Sequence, residues 1–192
     1  FAENRYFGKP CGLMDQTACA VGGFITIDFA DPTAPVIEKM DFDLTAAGYS
    51  LCIVNTGGNH ADLTHEYAAI TDEMRAISNS LGCNYLRETT KQELLAKLPQ
   101  LRKDLGDRAV LRAMHFLSDN ERVTKQVEAL SNNDFERFKQ LIIESGQSSF
   151  CYLQSVFSCS APKEQGLSLA LCLAENLLAG KGAWRVHGGG FG

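Results

Sequence analysis

The sequence predicts an α+β fold, and three observations carry that prediction. A run rich in β-branched and aromatic residues, 24–29, and a short second strand candidate, 36–40, lie near the start of the chain. A helix-rich middle follows, with apolar residues three and four apart over 64–81 and 108–130. A last strand candidate, 183–187, then leads into a cluster of glycines. Strand pairs separated by helices, around a helical middle, indicate α+β layering. At 192 residues the chain is long enough for one sizeable core, or for one domain plus a piece of another.

Taken in order, Lys9-Pro10-Cys11-Gly12 reads as a turn that delivers Asp15 into the first turn of a helix. Pro10 fixes its own φ and disfavours helix before it, and Gly12 permits a close or left-handed backbone. Leu13, Met14, Ala18 and Val21 form an apolar face that Gly22-Gly23 ends. Asp15 thus sits where the helix dipole favours negative charge. Two readings stay open for it: a structural first-turn acid, or a general base aimed out of the turn.

The run 24–29 reads as a strand closed by Asp31-Pro32, and 36–40 as a second. Residues 49–55 read as a third, nearly continuously apolar and so expected to be buried on both faces. After a Thr56-Gly57-Gly58-Asn59 loop, Tyr67, Ile70, Met74, Ile77 and Leu81 mark a helix that Gly82 stops. Thr90 and Glu93 make a capping box for a helix over 91–98, terminated by Pro99. Val110, Leu111, Met114, Leu117, Val123, Val127 and Leu130 stripe a long helix, and Asn133 or Asp134 caps the next. A helix over 160–178 carries leucines too dense for an exposed surface, and 183–187 returns as a strand.

Composition excludes several function classes. A formal charge of −5 argues against non-specific nucleic-acid binding, although a few backbone amides can still hold a nucleotide's phosphates. No apolar run approaches the ~20 residues of a membrane span. Seven cysteines, an odd number without a C-x-x-C pair, favour a reducing cytoplasm over a zinc site or disulfide framework. Their neighbours are mostly apolar, so they are expected to pack as small core residues. The chain opens without Met and stops inside a glycine-rich turn, and so reads as a fragment.

Three stretches, in order, resemble the galactokinases of the GHMP kinase superfamily. The first is Glu3-Asn4 followed by Phe7-Gly8-Lys9-Pro10-Cys11-Gly12-Leu13-Met14-Asp15-Gln16. The second is Asn55-Thr56-Gly57-Gly58-Asn59-His60 running into Glu66-Tyr67. The third is the closing Gly188-Gly189-Gly190-Phe191-Gly192. The first is specific; the terminal glycines alone would be weak.

The resemblance implies a ferredoxin-like GHMP kinase C-terminal domain over 32–192, truncated at its end, with 1–31 as the last part of an N-terminal lobe. It implies transfer of the γ-phosphoryl of ATP to the C1 hydroxyl of galactose, with Mg2+. Asp15 matches the family's base, which accepts or orients the sugar hydroxyl proton. Glu3 matches an acid that helps hold Mg2+, and carboxylate oxygen suits that hard ion. Tyr67 matches a sugar contact, and Gly12 brings backbone close to the sugar. Gly188, Gly189 and Gly190 match a glycine turn that packs against the phosphate-binding loop. That loop, with the rest of the N-terminal lobe, is missing, so the fragment itself is expected to be inactive. The sequence departs from the family in Val186-His187 before the glycines and in the loop 55–60, which puts sugar choice in doubt. A kinase for a related sugar such as N-acetylgalactosamine, or a non-catalytic sugar- and ATP-binding regulator of the same fold, are the rival expectations.

Other residues carry no signal. His60, His65 and His187 lack metal spacing, and Ser145, Ser148 and Ser149 lack a G-x-S-x-G context. The run Asp119-Asn120-Glu121-Arg122 reads as a solvated helix face.

Overall fold

A computed structural model describes residues 5–7, 12–58, 63–187 and 190–191. The chain divides into two compact units, Phe1–Cys52 with Leu130–Asn133, and Ile53–Ala129 with Asp134–Gly192. The described residues are mostly helical, with one small sheet, and this mixture is compatible with the α+β expectation.

In the first unit, helix α1 (Met14–Val21) runs into strand β1 (Phe24–Asp28), which pairs antiparallel with β2 (Val36–Met40). The register sets Phe24 opposite Met40 and Asp28 opposite Val36. Gly22 and Gly23, both at positive φ, turn the chain from helix to strand. The hairpin closes through local side-chain bonds. Asp28 Oδ1 accepts from the Ala30 amide at 2.8 Å, and Asp31 Oδ1 from the Thr33 amide and hydroxyl at 2.8 and 2.6 Å.

The second unit is helical. It contains α2 (Thr64–Leu81), a 3-10 turn (Leu86–Glu88), α3 (Lys91–Ala96), α4 (Leu98–Leu105) and α5 (Asp107–Ser131), which ends at the unit boundary. It continues with α6 (Phe135–Ser148), a π turn (Ser149–Leu153) and α7 (Gly166–Leu178). Ile77, Leu86, Leu94, Leu101, Ala109, Val110, Ala113 and Leu117 form its buried core. The stop at Gly82 is left-handed, at φ 86°, and the Thr90–Glu93 capping box is complete. Asp134, rather than Asn133, caps α6 by accepting from the Arg137 amide at 3.0 Å.

Several expectations are corrected. Pro99 does not merely end a helix over 91–98: α3 stops at Ala96, and Pro99 sits in the first turn of α4, where its missing N–H costs nothing. Helix α7 starts at Gly166, not 160, because Pro162 and the turns around Ala161 and Glu164 occupy the stretch before it. Its Leu169, Leu173 and Leu177 are exposed while Ser168 is buried, so leucine density did not measure burial.

Residues 49–55 and 183–187 are not strands, and Leu51, Ile53 and Val54 are 82%, 91% and 73% exposed. A strand is defined by a neighbour's backbone, and among the described residues the β1–β2 ladder is the only one. Of the six described cysteines, five are exposed and Cys83 is half-buried, so they are not core residues.

Candidate functional site

Asp15 occupies the first turn of α1 and is exposed. Leu13 stands at the N-cap position with no side-chain cap bond, and none of the residues of α1 is buried. Gly12, also exposed, leaves open space: a Cβ built there meets nothing within 4 Å. Both lie in the first unit.

In the second unit, two of the expected site residues come together. The Tyr67 hydroxyl, on the first turns of α2, donates to the Gly190 carbonyl at 2.8 Å. Burial pushes the Tyr67 phenol above its ordinary range, which keeps the donor proton in place. The Tyr67 ring meets the Phe191 ring edge to face, with centroids 5.4 Å apart. The Phe191 amide donates to the Ser155 carbonyl at 2.6 Å. Gly190 sits at φ 76° and Phe191 at φ 64°, two successive residues in the positive-φ region. Glu3, Gly188 and Gly189 lie outside the described residues.

Around this clasp lie two cavities. The larger, about 380 Å³, is lined by Thr56, Gly57, Gly58, Ser158, Gly166 and Phe191, among others. Asn55 shapes its loop by accepting from the Gly57 amide at 2.9 Å. Gly166 eases the approach, since a Cβ there would stand 3.2 Å from the Thr56 carbonyl oxygen, a tight contact. The smaller cavity, about 180 Å³, is lined by Glu66, Arg108, Arg112, Gln154, Cys159 and Phe191 with two further phenylalanines. Buried Glu66 accepts from the Ser158 hydroxyl at 2.6 Å, and Arg112 pairs with Glu73 at 2.9 Å and donates to the Leu153 carbonyl at 3.2 Å. Among the described residues, no group of three or more His, Cys, Asp or Glu side chains is placed to hold a metal ion. None of the described helices is long and apolar enough to cross a membrane.

Sequence reasoning missed the residues that fix this region. Glu66 stands beside Tyr67 in the second quoted stretch, yet its partner Ser158 is 92 residues away. The reading of 119–122 as a solvated face is corrected for its two ends. Asp119 accepts from the buried Ser145 hydroxyl at 2.6 Å and from Arg122 at 2.9 Å, because α6 packs over that side of α5.

No family model matches the chain. Curated relatives do, along its whole length. The chain is 30% identical over 195 aligned positions to a galactokinase of Actinobacillus pleuropneumoniae, covering 47% of that protein. It is 30% identical over 193 positions to one of Glaesserella parasuis, covering 47%, and 32% over 191 to one of Thermotoga neapolitana, covering 49%. The chain thus spans about half the length of the curated relatives it matches, and across that span it is similar to galactokinases from its first residue to its last.

Proposed function

We propose that this chain is part of a cytoplasmic galactokinase, a sugar 1-kinase that uses ATP as co-substrate to convert galactose into galactose 1-phosphate. In this reading residues 1–31 end an N-terminal lobe and 32–192 form most of a ferredoxin-like GHMP kinase C-terminal domain. The observation that supports it most, beside the relatives, is the 2.8 Å bond from Tyr67 to Gly190. It joins the expected sugar contact to the expected phosphate-side turn. Phe191, whose ring meets that of Tyr67, also lines a cavity of about 380 Å³, within the usual range for small-ligand sites. The cavity's lining mixes Gly57, Gly58, Ser158 and Glu164 with Leu63, Leu167 and Phe191, a combination that suits a sugar's hydroxyls and apolar ring face.

The chemistry assigned to this chain's residues is positional. The galactose O1 forms a bond to the γ-phosphorus as the bond from that phosphorus to the β–γ bridging oxygen breaks, releasing ADP. Asp15 takes or steers the O1 proton. Tyr67 and Gly12 hold the sugar, and Gly188, Gly189 and Gly190 support the phosphate-binding loop. Glu3 would share in Mg2+ binding, where the ion would neutralise phosphate charge.

Coupled ADP release with Mg·ATP tests the reading. The longer protein is expected to turn over with galactose, and the 192-residue chain, which has no G-x-x-x-x-G-K-[ST] loop, is not. Turnover by the long protein with N-acetylgalactosamine alone would reassign the sugar, and ATP binding without turnover would favour a regulator. Galactose-dependent turnover by the short chain near the full rate would place the nucleotide site within these residues.

Tyr67→Phe separates the two uses of that hydroxyl. Packing against Phe191 is retained, so loss of the Gly190 bond is expected to cost ~0.5–1.5 kcal/mol of stability. The KM for sugar is expected to rise by a similar free energy. A stability loss with KM unchanged would assign the hydroxyl to the turn alone.

A further inference from the structure

The smaller cavity, about 180 Å³, is built from an unusual stretch of backbone. Of the three described residues other than glycine at positive φ, two line it: Gln154 at φ 57° and Phe191 at φ 64°. A residue with a Cβ adopts this conformation at a cost, and such residues concentrate at ligand sites. The chain reaches Gln154 through the π turn Ser149–Leu153, a second irregularity that is frequent at functional sites. That turn supplies Phe150 to the cavity wall, beside Phe157 and Phe191. All of these residues belong to the second unit.

Three charged side chains line the same cavity, and each keeps one terminal atom with no hydrogen bond among the described residues. Arg108 places Nε and Nη2 on Glu73 Oε1, which leaves Nη1. Arg112 gives Nε to the Leu153 carbonyl and Nη1 to Glu73 Oε2, which leaves Nη2. Glu66 accepts from the Ser158 hydroxyl on Oε1, which leaves Oε2. Arg112 and Glu66 are only 1% and 6% exposed, yet no enclosed side-chain nitrogen or oxygen among the described residues lacks a partner. Arg112 Nη2 and Glu66 Oε2 therefore meet open space, and the space these residues border is the cavity.

We propose that this cavity is a binding site for a small apolar α-amino acid. The ligand's carboxylate accepts from Arg108 Nη1 and Arg112 Nη2, and its ammonium donates to Glu66 Oε2. Its side chain packs among the three phenylalanines. A zwitterion suits the site because the two guanidinium groups are balanced by the carboxylates of Glu66 and Glu73. A bare anion would face Glu66 without relief, and a bare cation would leave the guanidinium donors unmatched. The volume lies below the range typical of drug-sized ligands and fits a single amino acid. The inference goes beyond the kinase reading and does not rest on it.

The test titrates L-leucine calorimetrically into the longer protein and follows alkylation of Cys159, an exposed thiol on the cavity's lining, by peptide mass mapping. Leucine is expected to bind saturably at one site and to slow alkylation of Cys159. Exposed Cys172, outside this lining, should react at an unchanged rate. Leucinamide lacks the carboxylate and leucine's 2-hydroxy analogue lacks the ammonium. Each is expected to bind ~10-fold more weakly than leucine, the worth of a hydrogen bond to a charged group. Glu66→Gln and Arg108→Met should each weaken leucine binding by the same ~10-fold. Should Glu66→Gln not fold, Arg108→Met, at a side chain 43% exposed, carries the expectation. The proposal is overturned if leucine does not bind saturably, or if it leaves the Cys159 rate unchanged. Equal affinities for the unaltered protein and the folded variants would also overturn it. So would acetate or inorganic phosphate binding as tightly as leucine, which would make the cavity a general anion site. None of these readouts requires turnover, so failure of the kinase reading leaves the test in place.

Discussion

Asp15→Asn in the longer protein is expected to lower kcat by ~10²–10⁴-fold, the range for losing a positioned base, while sugar affinity changes little. The structure separates this outcome from a structural one. Helix α1 has eight residues, none of them buried, and Asp15 is exposed in its first turn. Removing the charge there forfeits at most the dipole interaction of an exposed acid, ~0.3–1 kcal/mol. A structural role would therefore show as a small fall in Tm with turnover intact. A catalytic role would show as lost turnover with Tm nearly unchanged, and Asn keeps the shape of the side chain so that sugar can still bind. Single-turnover kinetics with galactose and Mg·ATP, set beside a thermal melt, read both quantities on one sample. Near-normal kcat in Asp15→Asn would return the residue to the role of a first-turn acid.

What could be read from the sequence was local. The start and stop of α2, the Thr90–Glu93 box and the β1–β2 pair each depend on residues a few positions apart. Periodicity, capping chemistry and turn residues therefore sufficed for them. Residues 49–55 show the limit. Their apolar run has the composition of a buried strand, but a strand also needs a partner, and composition does not supply one.

The site divides along the same line. Tyr67 could be singled out from its stretch, but its bond to Gly190 spans 123 positions and follows from packing alone. The bonds from Ser145 to Asp119 and from Arg185 to Ser145 were unreadable for the same reason, spanning 26 and 40 positions. The one sequence hint was on α5, where His115, Asp119 and Arg122 fall at helical spacing on one face. Charge at such spacing looks identical on a solvated face and on one covered by a neighbouring helix.

Gly190→Ala is the substitution expected to damage the second unit most. Gly190 sits at φ 76°, and a Cβ there would stand 2.0 Å from the Ser155 carbonyl oxygen and 3.0 Å from its carbon. Both are backbone atoms, so no side chain can swing aside. The same carbonyl accepts from the Phe191 amide at 2.6 Å, and Gly190's own carbonyl accepts from Tyr67. Relieving the clash therefore moves the clasp itself. The left-handed conformation costs ~1–2 kcal/mol for a residue with a Cβ, and forcing the packing apart adds ~1–3. A total of ~2–5 kcal/mol is expected in urea denaturation. Gly57→Ala provides the control, because Gly57 has the same φ of 76° but a Cβ there meets nothing within 4 Å. It should carry the conformational cost alone, ~1–2 kcal/mol. Under the kinase reading Gly190→Ala should also lose nucleotide affinity, since the displaced backbone is the one proposed to pack against the phosphate-binding loop. If the two variants unfold at the same urea concentration, the close approach of Gly190 to Ser155 is absent in solution, and the turn is not clasped as described.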